Sequence, residues 1–182
     1  MTDDGSVADA QRDDSVADAK RAVRSRMRQL RLAITADATE RARRSAVICD
    51  AVIAALTSLS SPPGRQVRIL LYDPLPGEPD LSALAAWCAA NDVATHVPIV
   101  DGDAIRIEPG DLDPTLLDVV VVPGLAFTPA GARLGRGGGH FDRFLTRLGE
   151  GCLRIGVAFR EQLVTELPTA DHDIAVDVVV TD

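Results

Sequence analysis

Large aromatic side chains and long apolar runs are scarce in this sequence. Phe, Trp and Tyr make up only 3% of the 182 residues, so a buried core must consist mainly of Ala, Val, Leu and Ile. No apolar run approaches the length needed to span a bilayer, and the acidic N-terminus does not resemble a secretory signal. We therefore expect a cytoplasmic protein without a membrane partner.

Cysteine pairs and the common nucleotide-binding motifs are also missing. The three cysteines, Cys49, Cys88 and Cys152, form neither a CxxC pair nor a Cys/His cluster with metal-ligand spacing. Reduced, mostly buried thiols are the expected state. Neither the Walker pattern G-x-x-x-x-G-K-[ST] nor the dinucleotide pattern G-x-G-x-x-G occurs.

The net charge of −8 is unevenly distributed. Residues 1–19 hold six acids and one Arg (−5), residues 20–44 hold nine Lys or Arg and two acids (+7), and the remainder carries −10. A globally acidic protein is poorly suited to nucleic acid, so we expect no nucleic-acid partner. A basic segment facing an acidic body is suited to a small polyanion.

The length and apolar content favour one domain with a sizeable core. Residues 1–18 are predicted to be an acidic, flexible tail that at most extends the first helix, and residues 19–182 to be the domain. Apolar residues then recur at spacings of three and four, which predicts a helix. They are Ala19, Val23, Met27, Leu30 and Ile34. Lys20 and Arg24 share a face of this helix and can reach one anion together.

Strands and helices alternate in the rest of the chain. A second helix capped by Thr35 or Asp37 runs to about Leu56 and is ended by residues 60–64. The predicted strands are 66–72, 93–100, 117–124, 153–159 and 175–181, with helices at 81–90 and 140–148. This order predicts an α/β domain with a largely parallel sheet, in which ligands bind at the carboxyl ends of strands.

A glycine-rich loop follows the most apolar strand. Residues 133–145 read RLGRGGGHFDRFL, with four glycines among them. Successive glycines let backbone N–H groups turn towards a ligand, while Arg133 and Arg136 add charges suited to phosphate oxygens. Asp142 can hold Mg²⁺ together with those oxygens. The pattern outlines a nucleoside triphosphate site, although a flexible connection with Asp142 as a helix cap fits the spacing too.

The segment 123–145 resembles the signature of the 5-formyltetrahydrofolate cyclo-ligase family, also called methenyltetrahydrofolate synthetases. The stretches 19–31, 77–84 and 155–182 are similar to other parts of that family, so the resemblance covers nearly everything after the tail. It implies an open, Rossmann-like sheet flanked by helices. It also implies ATP- and Mg²⁺-dependent conversion of 5-formyltetrahydrofolate to 5,10-methenyltetrahydrofolate in the cytoplasm. The implied partners are a reduced folate and ATP, and we expect a monomer or weak homodimer.

The resemblance also assigns roles to individual residues. Lys20 and Arg24 resemble ATP phosphate ligands, Asp142 the magnesium-linked acid, and Glu78 the folate-binding residue. The nucleotide loop comprises Arg133, Leu134, Gly135, Arg136, Gly137, Gly138, Gly139, His140 and Phe141. Arg136 is expected to be the catalytic phosphate-binding side chain. The plainer alternatives are a solvated loop carboxylate for Glu78 and a solvated helix face for Lys20 and Arg24.

Several further acids and three departures from the family complete the sequence-based picture. Asp171, Asp173 and Asp177 could assist a metal, but we favour surface positions for them. His140-Phe141 replaces the usual Tyr pair, and Thr128 replaces an Asp that supports a turn. A stretch lining the folate pocket is missing after Ile107. A nonenzymatic nucleotide- or folate-binding homologue is therefore the alternative function.

Overall fold

A computed structural model describes residues 4–59 and 64–182, with side chains from residue 15 onward. Its helices are α1 (Asp4–Ile34), α2 (Ala38–Thr57), α3 (Ser82–Ala90) and α4 (His140–Leu145). Its strands are β1 (Arg68–Leu70), β2 (Ala94–Asp101), β3 (Ala104–Glu108), β4 (Val119–Pro123), β5 (Ala126–Phe127), β6 (Arg133–Leu134), β7 (Leu153–Val157) and β8 (Val178–Val180). Within these ranges, no helix is both long and apolar enough to cross a membrane.

Six strands form the main sheet in the order β3-β2-β1-β4-β7-β8. Every neighbouring pair is parallel except β2–β3, which is an antiparallel hairpin. The predicted α/β class with an open, largely parallel sheet flanked by helices is confirmed. The chain leaves β1 in one direction to form β2 and β3, then returns to form β4 on the other side of β1. The strand order therefore reverses between β1 and β4.

The centre of the molecule is the valine run of β4. Val119 to Val122 are all fully buried, as expected for a strand covered on both faces. Val119 and Val121 contact the apolar side chains of α2 and α3, whereas Val120 and Val122 pack on the side of α4. Each buried valine contributes roughly 1.5–3 kcal/mol of transfer free energy. The sheet is thus the middle layer between two helical layers.

Helix α2 begins at the predicted acid. Asp37 Oδ1 accepts hydrogen bonds from the backbone N–H groups of Thr39 and Glu40, at 2.8 and 3.2 Å. These bonds satisfy two N–H groups that have no partner inside the helix. Of the two proposed caps, Asp37 is therefore correct, while the Thr35 hydroxyl donates to the carbonyl of Arg31. The proposed terminator at 60–64 lies almost wholly outside the described residues.

Helix α1 is longer than its apolar stripe alone predicts. It begins at Asp4, so most of the predicted tail extends the helix. Residues 1–3 lie outside the described residues, and both the flexibility of the tail and its boundary at residue 18 stay predictions. Met27 is buried against the β5–β6 hairpin, which fixes α1 beside the carboxyl end of the sheet.

Three local predictions were wrong or incomplete. The sequence pattern predicts no strand at β3 or at the β5–β6 hairpin, and it predicts a helix to residue 148 where α4 ends at Leu145. The hairpin turn is closed by Thr128. Its N–H donates to the carbonyl of Ala132, and its hydroxyl accepts from the N–H of Ala132. Thr128 therefore stabilises this turn, which is the role expected of the Asp that it replaces.

Candidate functional site

A cavity of about 750 Å³ lies at the carboxyl ends of β1 and β4, where the strand order reverses. Open α/β sheets bind ligands at such points because the loops on either side diverge. Every residue predicted for the site lines this one cavity. They are Lys20, Arg24, Glu78, Arg133, Leu134, Gly135, Arg136, Gly137, Gly138, Gly139, His140, Phe141 and Asp142. The structure therefore brings together three segments that are far apart in sequence.

Helix α1 supplies two cations to one wall of the cavity. Lys20 Nζ donates to both carboxylate oxygens of Asp173, at 2.7 and 2.5 Å. Arg24 Nε donates to the carbonyl of Gly135 at 3.0 Å. Burial, followed by repulsion from Arg28, lowers the pKa of Arg24 from its ordinary value. These cations are not an ordinary solvated helix face, although their role as phosphate ligands stays a prediction.

The glycine loop lies against this helix. Arg28 Nη2 donates to the carbonyl of Arg136 at 3.1 Å, so two arginines of α1 bind consecutive carbonyls of the loop. Gly137 has a φ of +110°, a conformation that side chains rarely allow. The backbone N–H groups of residues 136 to 139 have no hydrogen-bond partner among the described residues. The loop therefore holds free donors beside several positive charges.

Arg133 is built into the wall of the cavity. Its side chain is only 2% exposed, and its Nη2 lies 2.6 Å from Asp142 Oδ1. Its Nη1 donates to the carbonyl of Pro123, and its guanidinium lies 5.9 Å from the centre of the Phe141 ring. The Nε atom is buried without a partner in the described chain. Arg133 thus orients Asp142 and Phe141, and direct contact of Arg133 with a nucleotide stays a prediction.

Glu78 lines the cavity beside the glycine loop. Its side chain is 4% exposed, so the alternative of a solvated loop carboxylate is wrong. Glu78 Oε2 accepts from the N–H of Leu75 at 3.0 Å, and Oε1 lies 3.4 Å from Arg31 Nη1. Arg136 Nη1, on the glycine loop, is 3.9 Å from the same Oε1 atom. The predicted folate residue and the predicted phosphate residue are therefore neighbours.

Sequence reasoning missed several residues of this cavity. Tyr72 follows β1, and burial raises the pKa of its phenol well above the ordinary value. Asp173 was expected at the surface, which is wrong for this residue because it pairs with Lys20 inside the cavity. Burial is the largest single influence on the pKa of Asp173 and raises it, but the hydrogen bonds from Lys20 and from the Ala170 N–H, together with the charge of Lys20, lower it below the ordinary value. Asp177 instead pairs with Arg154.

The predicted tail also reaches the cavity, where Val16 and Ala17 form part of its wall. The continuation of small apolar residues one turn before Lys20 was the available signal. Over the part of the chain that the structure describes, no three His, Cys, Asp or Glu residues cluster as a metal site would. A cation bound here would need oxygen ligands from a bound molecule in addition to protein carboxylates.

Known proteins resemble this chain over different lengths. Residues 108–182 match the family model described as the 5-formyltetrahydrofolate cyclo-ligase family. A 5-formyltetrahydrofolate cyclo-ligase of Saccharomyces cerevisiae is 38% identical over 79 residues, which are 40% of this chain and 37% of that protein. The sequence match thus spans little more than a third of the yeast relative.

Two solved structures resemble the chain over most of its length. A 5,10-methenyltetrahydrofolate synthetase from Mycoplasma pneumoniae is 26% identical, with a TM-score of 0.78 over 90% of this chain and 98% of that one. The corresponding synthetase of Aquifex aeolicus is 30% identical, with a TM-score of 0.69 over 88% of both chains.

Proposed function

Because this chain belongs to the 5-formyltetrahydrofolate cyclo-ligase family, we propose that it converts 5-formyltetrahydrofolate to 5,10-methenyltetrahydrofolate, with ATP consumed to ADP and phosphate. The observation that most supports this activity is the single cavity shared by the predicted nucleotide residues and Glu78. A phosphoryl transfer from ATP to folate needs both molecules side by side. Separate cavities would have argued against it.

The nucleotide half of the proposal depends on charge and on free backbone donors. Lys20, Arg24 and Arg136 place three cations along the glycine loop. Within the residues that the structure describes, the backbone N–H groups of residues 136–139 have no protein acceptor. Such groups suit the oxygens of a triphosphate. We assign the catalytic contact to Arg136 because its side chain is half exposed and can move to a phosphate, whereas that of Arg133 is locked in the wall.

The Asp142 carboxylate is suited to hold a magnesium ion. Only Oδ1 of this carboxylate is held by Arg133, while Oδ2 makes no hydrogen bond to the described residues. Mg²⁺ in nucleotide sites is commonly held by one or two carboxylates together with phosphate oxygens. When bound, the ion would neutralise charge on the transferred phosphoryl group. The role of Arg133 is then to keep the Asp142 carboxylate in place.

Glu78 supplies the folate half of the proposal. An ionised carboxylate is purely a hydrogen-bond acceptor, so it selects N–H or O–H donors of its ligand. It lies within 3.9 Å of Arg136, which brings the folate close to the phosphate-binding side chain. The apolar residues Tyr72, Pro98 and Val100 line the same cavity and can contact a flat ring system.

The proposed chemistry transfers the γ-phosphoryl group of ATP to the formyl oxygen. N10 of the folate then attacks the formyl carbon, and that oxygen departs as part of inorganic phosphate. A formyl oxygen is a poor leaving group until it is phosphorylated. The residues of this chain contribute by holding the two substrates in line and by neutralising charge, as in phosphoryl transfer generally.

One observation favours the nonenzymatic alternative. Among the described residues, none between Val100 and Pro123 lines the cavity, which agrees with a shortened folate side. The direct test is to mix the protein with 5-formyltetrahydrofolate, ATP and Mg²⁺ and to follow the near-ultraviolet absorbance of methenyltetrahydrofolate. Product that depends on ATP and disappears in Glu78→Gln supports the ligase. ATP binding without product in the native protein would support the binding homologue instead.

A cytoplasmic location and a monomeric or weakly dimeric state complete the proposal. The three cysteines are free and buried, which suits a reducing compartment. Cell fractionation tests the location, and sedimentation across a range of protein concentrations tests the state of association.

A further inference from the structure

A buried arginine that the proposed chemistry does not use lies directly behind Glu78. Arg31 is on α1, eleven residues after Lys20, and its side chain is 4% exposed. Its Nη1 atom lies 3.4 Å from Glu78 Oε1. Arginines are rarely buried unless they are paired, so this position needs an explanation. Arg31 does not itself line the cavity, which means that it can influence a ligand only through a neighbour.

The loop before Glu78 is shaped around the Arg31 guanidinium. Nη2 of Arg31 donates to the carbonyl of Pro76 at 3.2 Å. Gly77 has a φ of +84°, and a Cβ atom there would lie 3.4–3.5 Å from Arg31 side-chain atoms. Arg41 Nε donates to the backbone carbonyl of Glu78 at 3.0 Å. Two arginines from two helices therefore fix the backbone that bears the carboxylate.

Both oxygens of the Glu78 carboxylate have partners in this arrangement. Oε1 faces Arg31, and Oε2 accepts from the N–H of Leu75. A buried carboxylate without a cation is costly and tends to take up a proton or turn away. Burial lowers the pKa of Arg31, but arginine starts so high that it stays charged. Arg31 therefore keeps the Glu78 carboxylate paired with a cation and in one orientation.

Arg31 differs from the second cation near Glu78. Arg136 Nη1 is 3.9 Å from Oε1, and its side chain is half exposed on a glycine-rich loop. Arg136 can leave Glu78 to meet a phosphate, whereas Arg31 is enclosed by α1 and by residues 76–78. When a nucleotide draws Arg136 away, Arg31 is the cation that stays with the carboxylate.

We propose that Arg31 is a positioning residue for the reduced-folate site, which pairs with the Glu78 carboxylate and holds it in place for the N–H donors of the substrate. The proposal rests on the proposed function, because it assigns a role to Glu78 in folate binding. It predicts that loss of Arg31 weakens folate binding selectively, leaves ATP binding intact and makes folate binding sensitive to pH. If the Arg31–Glu78 ion pair were purely structural, its loss would change only the stability of the fold.

The experiment compares the native protein with Arg31→Met, Arg31→Lys and Arg44→Met. Arg44 is the matched control, since it is another buried arginine that pairs with two carboxylates, Glu161 and Asp182, away from the cavity. Calorimetry measures the Kd of 5-formyltetrahydrofolate and of ATP separately, and thermal unfolding gives Tm. The folate titration is repeated from pH 6 to pH 8.

For Arg31→Met we expect the Kd for folate to rise at least tenfold and the Kd for ATP to change less than twofold. Its folate binding should weaken further as the pH falls, because the unpaired carboxylate becomes protonated. Arg31→Lys keeps a cation and should recover part of the affinity. It also serves if Arg31→Met does not fold. Arg44→Met should lower Tm without altering either Kd.

Unchanged folate affinity and a flat pH profile in the Arg31 variants, with Tm lowered as in Arg44→Met, would overturn the proposal. The native protein separates this outcome from failure of the proposed function. If the native chain itself does not bind 5-formyltetrahydrofolate while it still binds ATP, the assignment of the folate site is wrong, and the role of Arg31 in it is wrong as well.

Discussion

Replacement of Arg136 by alanine is expected to weaken ATP binding about tenfold while leaving the fold intact. The Arg136 side chain is half exposed, and its nearest carboxylate, Glu78, is 3.9 Å away. An ion pair of that length and exposure stabilises a protein by about 0–1 kcal/mol. The variant should therefore unfold at nearly the native temperature, so a change in affinity can be attributed to the missing guanidinium.

The expected magnitude follows from the exposure of this side chain. A hydrogen bond to a charged group contributes about 1.5–3 kcal/mol, and a tenfold change in Kd corresponds to about 1.4 kcal/mol. Because Arg136 is half exposed, solvent competes for its donors and the lower end of this range applies. If the guanidinium contacts the terminal phosphate, the effect should be largest for ATP and should vanish for AMP.

Calorimetric titration of ATP, ADP and AMP into the native and variant proteins measures this effect. Arg106→Ala is the matched control, because Arg106 is also half exposed and pairs with a carboxylate, Asp101, but lies outside the cavity. An equal loss of affinity in the two variants would point to general electrostatics. Native ATP affinity in Arg136→Ala would refute the proposed contact between Arg136 and the phosphates of ATP.

Three further outcomes are expected. Asp142→Asn should raise the Mg²⁺ concentration needed for half-maximal turnover by about tenfold or more, as measured by the reaction rate at increasing Mg²⁺. ATP binding in the absence of metal should change less. The thiols of Cys88 and Cys152 should react with a disulfide reagent only after the protein unfolds. The reason is that burial raises the pKa of Cys88 to about 11 and that of Cys152 to about 12. Rapid labelling of these thiols in the native protein would contradict this. Burial raises the pKa of Asp182, but the hydrogen bonds from Arg44 and from the Arg160 N–H, together with the charge of Arg44, lower it below the ordinary value of 3.8. The stability from this pair is therefore complete above that value and is lost as the pH falls through the folded pKa. Arg44→Met should therefore lose less unfolding free energy than the native protein in denaturant titrations between pH 5 and pH 2.5.

Much of the fold was predictable because its strongest signals are local. The valine run of β4 and the apolar stripe of α1 show their periods directly, and both elements occur where expected. Strand β3 was missed although Ile105 and Ile107 alternate with exposed residues, and the Gly-Asp pair before it is a known hairpin signal. The five-residue strand was too short to be separated from the loop around it by periodicity alone.

The site was predictable only where its residues lie in one motif or resemble a family signature. Asp173 has no pattern that distinguishes it from its neighbours Asp171 and His172, and only the folded chain brings it to Lys20, 153 positions away. Arg31 could have been suspected, since it continues the face of α1 that bears Lys20 and Arg24. Its burial, however, depends on the loop at residues 76–78, which no local signal connects to α1.

The charges of the cavity explain why ATP is expected to bind together with a cation. Four cations (Lys20, Arg24, Arg133 and Arg136) and four carboxylates (Asp73, Glu78, Asp142 and Asp173) line the wall, so their formal charges cancel. Lys20, Arg133 and Arg136 each lie within 4 Å of one of these carboxylates. Arg24 donates to the backbone carbonyl of Gly135. A phosphate that takes Lys20 leaves Asp173 without its cation, and one that takes Arg136 leaves Glu78 with Arg31 alone. The gain is then only the difference between two pairings. Free ATP should consequently bind weakly, and Mg²⁺ should strengthen binding more than screening alone would, because it offsets the charge of the released acids and of the phosphates at once.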